Sequence, residues 1–162
     1  MSLESFFASM ETSPIGEFVK DRAITFASIE AVHLLALAVL GGAVLVSDLR
    51  LLNVALRDVP SKTITDGAHR WFKWSLWVML VTGVLMLTGV ANKCYGHAYF
   101  WIKMGALAAG IVFAFAIKQP LLKGEHSDIH PLTLKLVGLS SISLWFLVAA
   151  SGRWIGYSDG TF

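Results

Sequence analysis

Apolar residues fall into four long stretches, at about 25–47, 71–92, 98–118 and 134–154, separated by shorter polar segments. Each is long enough to cross a bilayer, because about 20 residues rising about 1.5 Å apiece span the hydrocarbon. The pattern predicts an all-α integral membrane protein, an up-and-down four-helix bundle forming a single membrane domain over residues 1–162. Ahead of the first stretch, Leu3, Phe6, Phe7, Met10, Ile15 and Phe18 are interleaved with Glu4, Ser5, Glu11, Glu17 and Lys20. That interleaving suits a short N-terminal amphipathic segment lying in the interface, with Ser13-Pro14 opening its second turn. An arm packed over the bundle fits it equally well. The first 20 residues lack the basic start and continuous apolar core of a cleavable signal peptide, so the first span is expected to act as its own insertion signal. The segment from Asn53 to Ala68 reads as a loop, with Ser61 or Thr63 available to cap a helical extension.

Composition narrows the class. The chain is 56% hydrophobic and 15% charged, whereas soluble domains carry about a quarter charged residues. A water-soluble enzyme domain is thereby excluded. A net charge of +2 without a basic cluster supplies no phosphate footprint, which excludes nucleic-acid binding. The single Cys94 excludes an internal disulfide, an all-cysteine zinc site and an iron–sulfur cluster held by this chain alone. Trp71, Trp74 and Trp77, then Tyr99 and Trp101, then Trp154 and Tyr157 flank the stretches as interfacial aromatic belts do.

Lysines and arginines beside the spans set the expected orientation. One side gathers Arg50, Arg57, Lys62, Arg70, Lys73, Lys118, Lys123 and Lys135, and the other Lys20, Arg22, Lys93, Lys103 and Arg153. The richer side is expected to be cytoplasmic. Both termini and the loop carrying Cys94 and His97 would then face the periplasm of a bacterial inner membrane.

The candidate chemistry starts from a stripe in the first span. Glu30, His33, Leu37, Gly41, Val44 and Asp48 follow at steps of 3, 4, 4, 3 and 4, which puts them within about 80° of one helix face. Ionisable groups in a span avoid lipid, so this face should look into the bundle. His33 would lie about 10 Å inside the span. The third span repeats the pattern with Lys103, Ala106, Gly110 and Ala114, small residues that permit close helix approach. The second offers Met79, Thr82, Gly83 and Met86 on one face, and the fourth Ser140, Ser143, Leu147, Ser151 and Trp154. Up-and-down connectivity brings Glu30, His33, Met86, Lys103 and Arg153 to one leaflet.

This cluster admits several readings. Glu30 paired with Lys103 or Arg153 would pin helix packing, and His33 would bond a serine of the fourth span. Alternatively, His33 would ligate a b-type haem, with Glu30 orienting the ring, His97, Met86 or Met104 as the second ligand, and Lys103 or Arg153 near the propionates. A quinone contact near His33 is a related possibility. Copper would call on the soft ligands and imidazoles of Cys94, His97, Met104 and His33. Glu30-x-x-His33 is only half of a di-iron motif, and no nucleophilic triad, phosphate loop or broken transporter helix is present. Across the membrane, His69-Arg70 and His126-x-x-x-His130 would form a separate site if helical.

At these residues the sequence resembles a known group. Glu30-Ala-Val-His33-Leu-Leu, Ser47-Asp-Leu-Arg50-Leu-Leu, Phe100-Trp-Ile-Lys103 and Gly152-Arg-Trp154 resemble an uncharacterised family of short bacterial four-helix inner-membrane proteins. The histidine on the first span is also loosely similar to those of copper-resistance D-type and cytochrome b561-type membrane proteins. The chain lacks the paired mid-helix histidines of the b561 pattern. These features lead to three expected roles. One is a small electron-transfer subunit holding one haem or contacting quinone. Another is a structural or interaction subunit whose buried charges fix packing. The third is a periplasm-facing metal-handling protein. On any of them the chain has no catalytic residue of its own, lies in a lipid bilayer, and meets a membrane or periplasmic protein partner or further copies of itself.

Overall fold

The structure, a computed structural model, describes residues 2–124 and 129–157 and is almost entirely helical. Two short helices, α1 (Leu3–Glu11) and α2 (Pro14–Asp21), precede the first long one, α3 (Ala23–Leu51). Then come α4 (Ser61–Gly89), α5 (Ala91–Tyr95), α6 (Ala98–Val112), a π-helical turn at Phe113–Lys118, α7 (Gln119–Leu121) and α8 (Pro131–Tyr157). Four segments are long and apolar enough to cross a membrane: Ala23–Leu51, Ser61–Gly89, Ala98–Leu121 and Pro131–Tyr157. They form a four-helix transmembrane bundle, with short N-terminal helices at one end.

The second span, α4, starts well before the apolar stretch at 71–92, so much of the expected loop before Ala68 is helical. It begins at Ser61, with Pro60 at the N-cap position. The remaining turn is held by arginines: Arg50 Nε donates to the Val59 carbonyl at 2.9 Å and Arg57 Nε to that of Asn53 at 2.8 Å.

The first span packs along α4 and α8, and α8 packs along α6. The second and third spans meet through rings instead, with Phe115 at 6.1 Å from Phe72 and 6.0 Å from His69. The core between them holds Ala36, Leu40, Val44, Leu76, Met79 and Trp145. Trp145 packs against Gly110, where a Cβ would stand in ordinary contact with its indole at 3.4 Å. Large apolar residues such as Leu35, Trp74, Val84 and Phe146 face outward. In water such a surface would be a liability; in a bilayer it is the lipid-facing side.

The N-terminal segment folds down as an arm over the bundle while keeping an apolar outer face. Ser13 Oγ accepts from the Gly16 N–H with Pro14 at the first helical position, the start that Ser13-Pro14 predicts. Phe7 is buried between Tyr95, Phe100 and Trp101, and Val19 presses on Gly89. Leu3, Phe6, Ile15 and Phe18 stay exposed.

A polar latch adds to this. Glu11 accepts from Lys20 Nζ at 2.6 Å and from the Asn92 N–H at 2.9 Å. The Lys20 bond first, and then the Asn92 amide, hold the Glu11 carboxyl below its ordinary value of 4.5. A depressed folded value means stabilisation fully present above the ordinary value and lost as pH falls through the lowered one. The melting temperature of wild type should therefore exceed that of Glu11→Gln near neutral pH, and the gap should close as the pH falls below 4.5. A gap that persists at lower pH contradicts the latch.

Candidate functional site

Polar groups enter the bundle at two levels, one beside α5 and one beside the 52–60 turn. At the α5 level, His33 Nδ1 lies 2.8 Å from Thr82 Oγ1. The Thr82 hydroxyl has one proton and gives it to the Val78 carbonyl, 2.7 Å away on its own helix. In the neutral ring Nδ1–H therefore donates to Thr82, and Nε2 keeps its lone pair. The ring lies against Gly83, where a Cβ would come into ordinary contact with His33 Cε1 at 3.4 Å. The partner of His33 is thus a threonine of the second span, where the sequence suggested a serine of the fourth.

Lys103 runs along Gly152, whose Cβ, if present, would stand 3.1 Å from Nζ. Among the described residues, no ion pair joins Glu30 to Lys103 or to Arg153. Arg153 is exposed and Glu30 half-buried, so the expected ion pair is replaced by separate environments. The cause is helix phase. The inner face of α8 carries Val137, Gly138, Ser141, Trp145, Val148 and Ser151, which turns Ser140, Ser143, Leu147, Arg153 and Trp154 outward. Serines mark a face poorly because they can bond their own helix, as Ser151 Oγ does with the Leu147 carbonyl at 2.6 Å. The first span keeps part of its predicted face: Val44 and Asp48 lie on its buried line with Ala36, Leu40, Ser47 and Leu51, while His33 and Leu37 are half-buried at its edge.

The other predicted ligands lie near this end without converging on one point. Met86 is half-buried on α4. Cys94 sits in a cluster with Phe7, Ala91 and Phe100, against which Met104 packs. Burial pushes the Cys94 thiol up, against the pull of Lys103 and Lys93, so it stays protonated instead of becoming the thiolate that metals prefer. His97 is 3% exposed at the N-terminus of α6, its ring 5.7 Å from that of Tyr99. Among the described residues, no three His, Cys, Asp or Glu side chains gather as a metal site would need.

The second level contains what sequence reasoning missed. Lys118 Nζ donates to Asp48 Oδ1 and, at 3.2 Å, to Ser141 Oγ, tying the first, third and fourth spans together. Asp48 is 0% exposed. The approach of the fourth span is set by Gly138, where a Cβ would lie 3.1 Å from the Asp48 carbonyl oxygen. One turn on, that approach places Ser141. Lys118 ends a π-helical turn just before Pro120. Proline's missing N–H and ring bulk relax the helical ladder there, and π turns are frequent at functional positions. The signal was present in the sequence: Lys103, Ala106, Gly110, Ala114 and Lys118 step by 3, 4, 4 and 4. Counting Lys118 as a flanking positive charge hid it.

His69 stands beside this pair, stacked on Phe72 at 6.2 Å. His130 is exposed, and its Nδ1 accepts from the Leu132 N–H at 3.2 Å. His126 lies outside the described residues, so the His126–His130 site has no geometry to report.

Four spans with apolar outer faces, and with His33, Asp48 and Lys118 bonded between helices, define a small multi-pass membrane protein, embedded in a lipid bilayer. The chain belongs to a family of unknown function, DUF6644, whose profile matches residues 6–158. No curated protein and no solved structure matches it. The expected membership of an uncharacterised family is therefore met, while the likeness to copper-resistance D-type and cytochrome b561-type proteins finds no support.

Proposed function

We propose that this protein is a non-catalytic structural or interaction subunit of the membrane, in which the inward polar groups fix how the four spans pack. The observation that carries the reading is the Lys118–Asp48–Ser141 tie across three spans. The His33–Thr82 bond between the first two spans reinforces it. A bundle locked in this way offers a fixed lipid-facing surface to a partner subunit or to further copies of itself. The excess of basic residues beside the 52–60 turn supports a cytoplasmic location for that end and a periplasmic one for both termini of a bacterial inner-membrane protein. Lys118 adds little to that excess, since Asp48 neutralises it.

His33→Ala tests the reading: losing one interhelical hydrogen bond should cost about 0.6 kcal/mol and at most about 1.7. The variant should still elute as a folded protein and melt a few degrees lower. Complete loss of a bound chromophore on this substitution would instead favour the second reading.

That second reading is a redox contact at His33, with haem b or a quinone as the group held. A specific observation favours it: Nδ1 is committed to Thr82, the arrangement that orients a ligating imidazole and leaves Nε2 as acceptor. Lys103 would supply a positive charge to the same region. Copper held by His33, His97, Met104 and Cys94 is supported less, because the thiol is buried and protonated.

A further inference from the structure

Beside the Lys118–Asp48 pair lies a cavity of about 120 Å³, bordered by Ser47, Thr65, His69, Lys118 and Ser141. That is well above the roughly 10–15 Å³ that one water needs, so it has room for several waters. A water also needs two to four polar partners, and the walls provide them. Lys118 has three N–H donors, of which Asp48 and Ser141 take two. Thr65 Oγ1 donates to the Lys62 carbonyl and keeps its lone pairs. His69 Nε2 is buried with no hydrogen-bond partner among the described residues. Buried polar atoms are nearly always satisfied, by water where protein does not reach.

We propose that this cavity is a water-binding site, a one-ended hydrated vestibule that brings solvent from the side of the 52–60 turn to the Lys118–Asp48 pair. Its mouth is lined by Asp66 and Lys123, both exposed. Its inner end is dry, closed by Val44, Phe72, Ala114 and Trp145, with Leu40, Leu76 and Met79 beyond. His33 is 15 residues from Asp48 on the same helix, about 22 Å away. The water therefore stops short of the His33 level, and the protein is no through-channel. Because water reaches Lys118, the pair is solvated from one aqueous phase only, and its ammonium exchanges protons with that phase.

Thiol labelling tests this on the full chain with Cys94→Ser as background, in sealed membrane vesicles of both orientations. Ser47→Cys and Thr65→Cys place thiols in the cavity wall, and Ala36→Cys places one in the dry core as the reference. The probe is the membrane-impermeant methanethiosulfonate ethyltrimethylammonium, which reacts with the hydrated thiolate. From the side of the 52–60 turn, the cavity thiols should react at least about tenfold faster than the reference. Either cavity variant suffices if the other fails to fold, because both line one space. Reaction as slow as at Ala36→Cys, or from the opposite side alone, overturns the proposal.

Discussion

Lys118→Met should destabilise the folded protein by about 3–5 kcal/mol, the usual cost of breaking a buried ion pair from one side. The substitution leaves the Asp48 carboxylate fully buried within the span and without its cation. The reverse change, Asp48→Asn, should cost less. Lys118 is 15% exposed at its side chain, and its long stem can carry the ammonium toward the interface, an escape Asp48 lacks. Combining both substitutions should recover much of the loss, since replacing both members of a buried pair with well-packed groups is often close to neutral. Thermal melting in one detergent, for wild type, the two single variants and the double variant, checks the order. If Lys118→Met melts with wild type, the pair does not hold the spans together.

Gly16→Ala should undock the N-terminal arm. A Cβ at this position would meet the carbonyl oxygens of Met10 at 2.6 Å, Glu11 at 2.7 Å and Thr88 at 2.9 Å. All three are backbone atoms, so no rotamer change relieves the clash, and overpacking of this kind costs about 1–3 kcal/mol. Val19 on Gly89 and the Glu11 latch on Asn92 depend on the same docking. Protease cleavage between Glu11 and Arg22 should therefore become rapid in Gly16→Ala while the four spans stay intact. Cleavage as slow as in wild type would show that the arm accommodates the methyl group.

The four spans were legible in the sequence because length and uninterrupted apolarity are properties of each segment alone. The small-residue seam of the third span was legible too: Ala106, Gly110 and Ala114 are buried as their spacing predicts. Helix phase was harder to read where the cue was polar. In the fourth span Ser151 lies on the buried line, but Ser140 and Ser143 point away from it, since a serine hydroxyl can bond its own helix and is then satisfied on any face. The Lys118–Asp48 pair spans 70 residues of chain: the stripe of the third span carried Lys118 inward, but which group it meets across the bundle depends on how the spans pack, which periodicity does not show. His33 was found correctly as an inward group, but its partner depended on how α3 and α4 face each other.

The role proposed for His33, Asp48 and Lys118 is to hold helices together without a cofactor. Its most direct test is an absorption spectrum of the protein purified in mild detergent, oxidised and then dithionite-reduced, with quinone extraction and metal analysis of the same sample. The expected result is a colourless protein with no redox-dependent band, and no quinone or metal in stoichiometric amount. A reduced α-band at about one haem per chain that vanishes in His33→Ala would contradict it and make this a redox subunit.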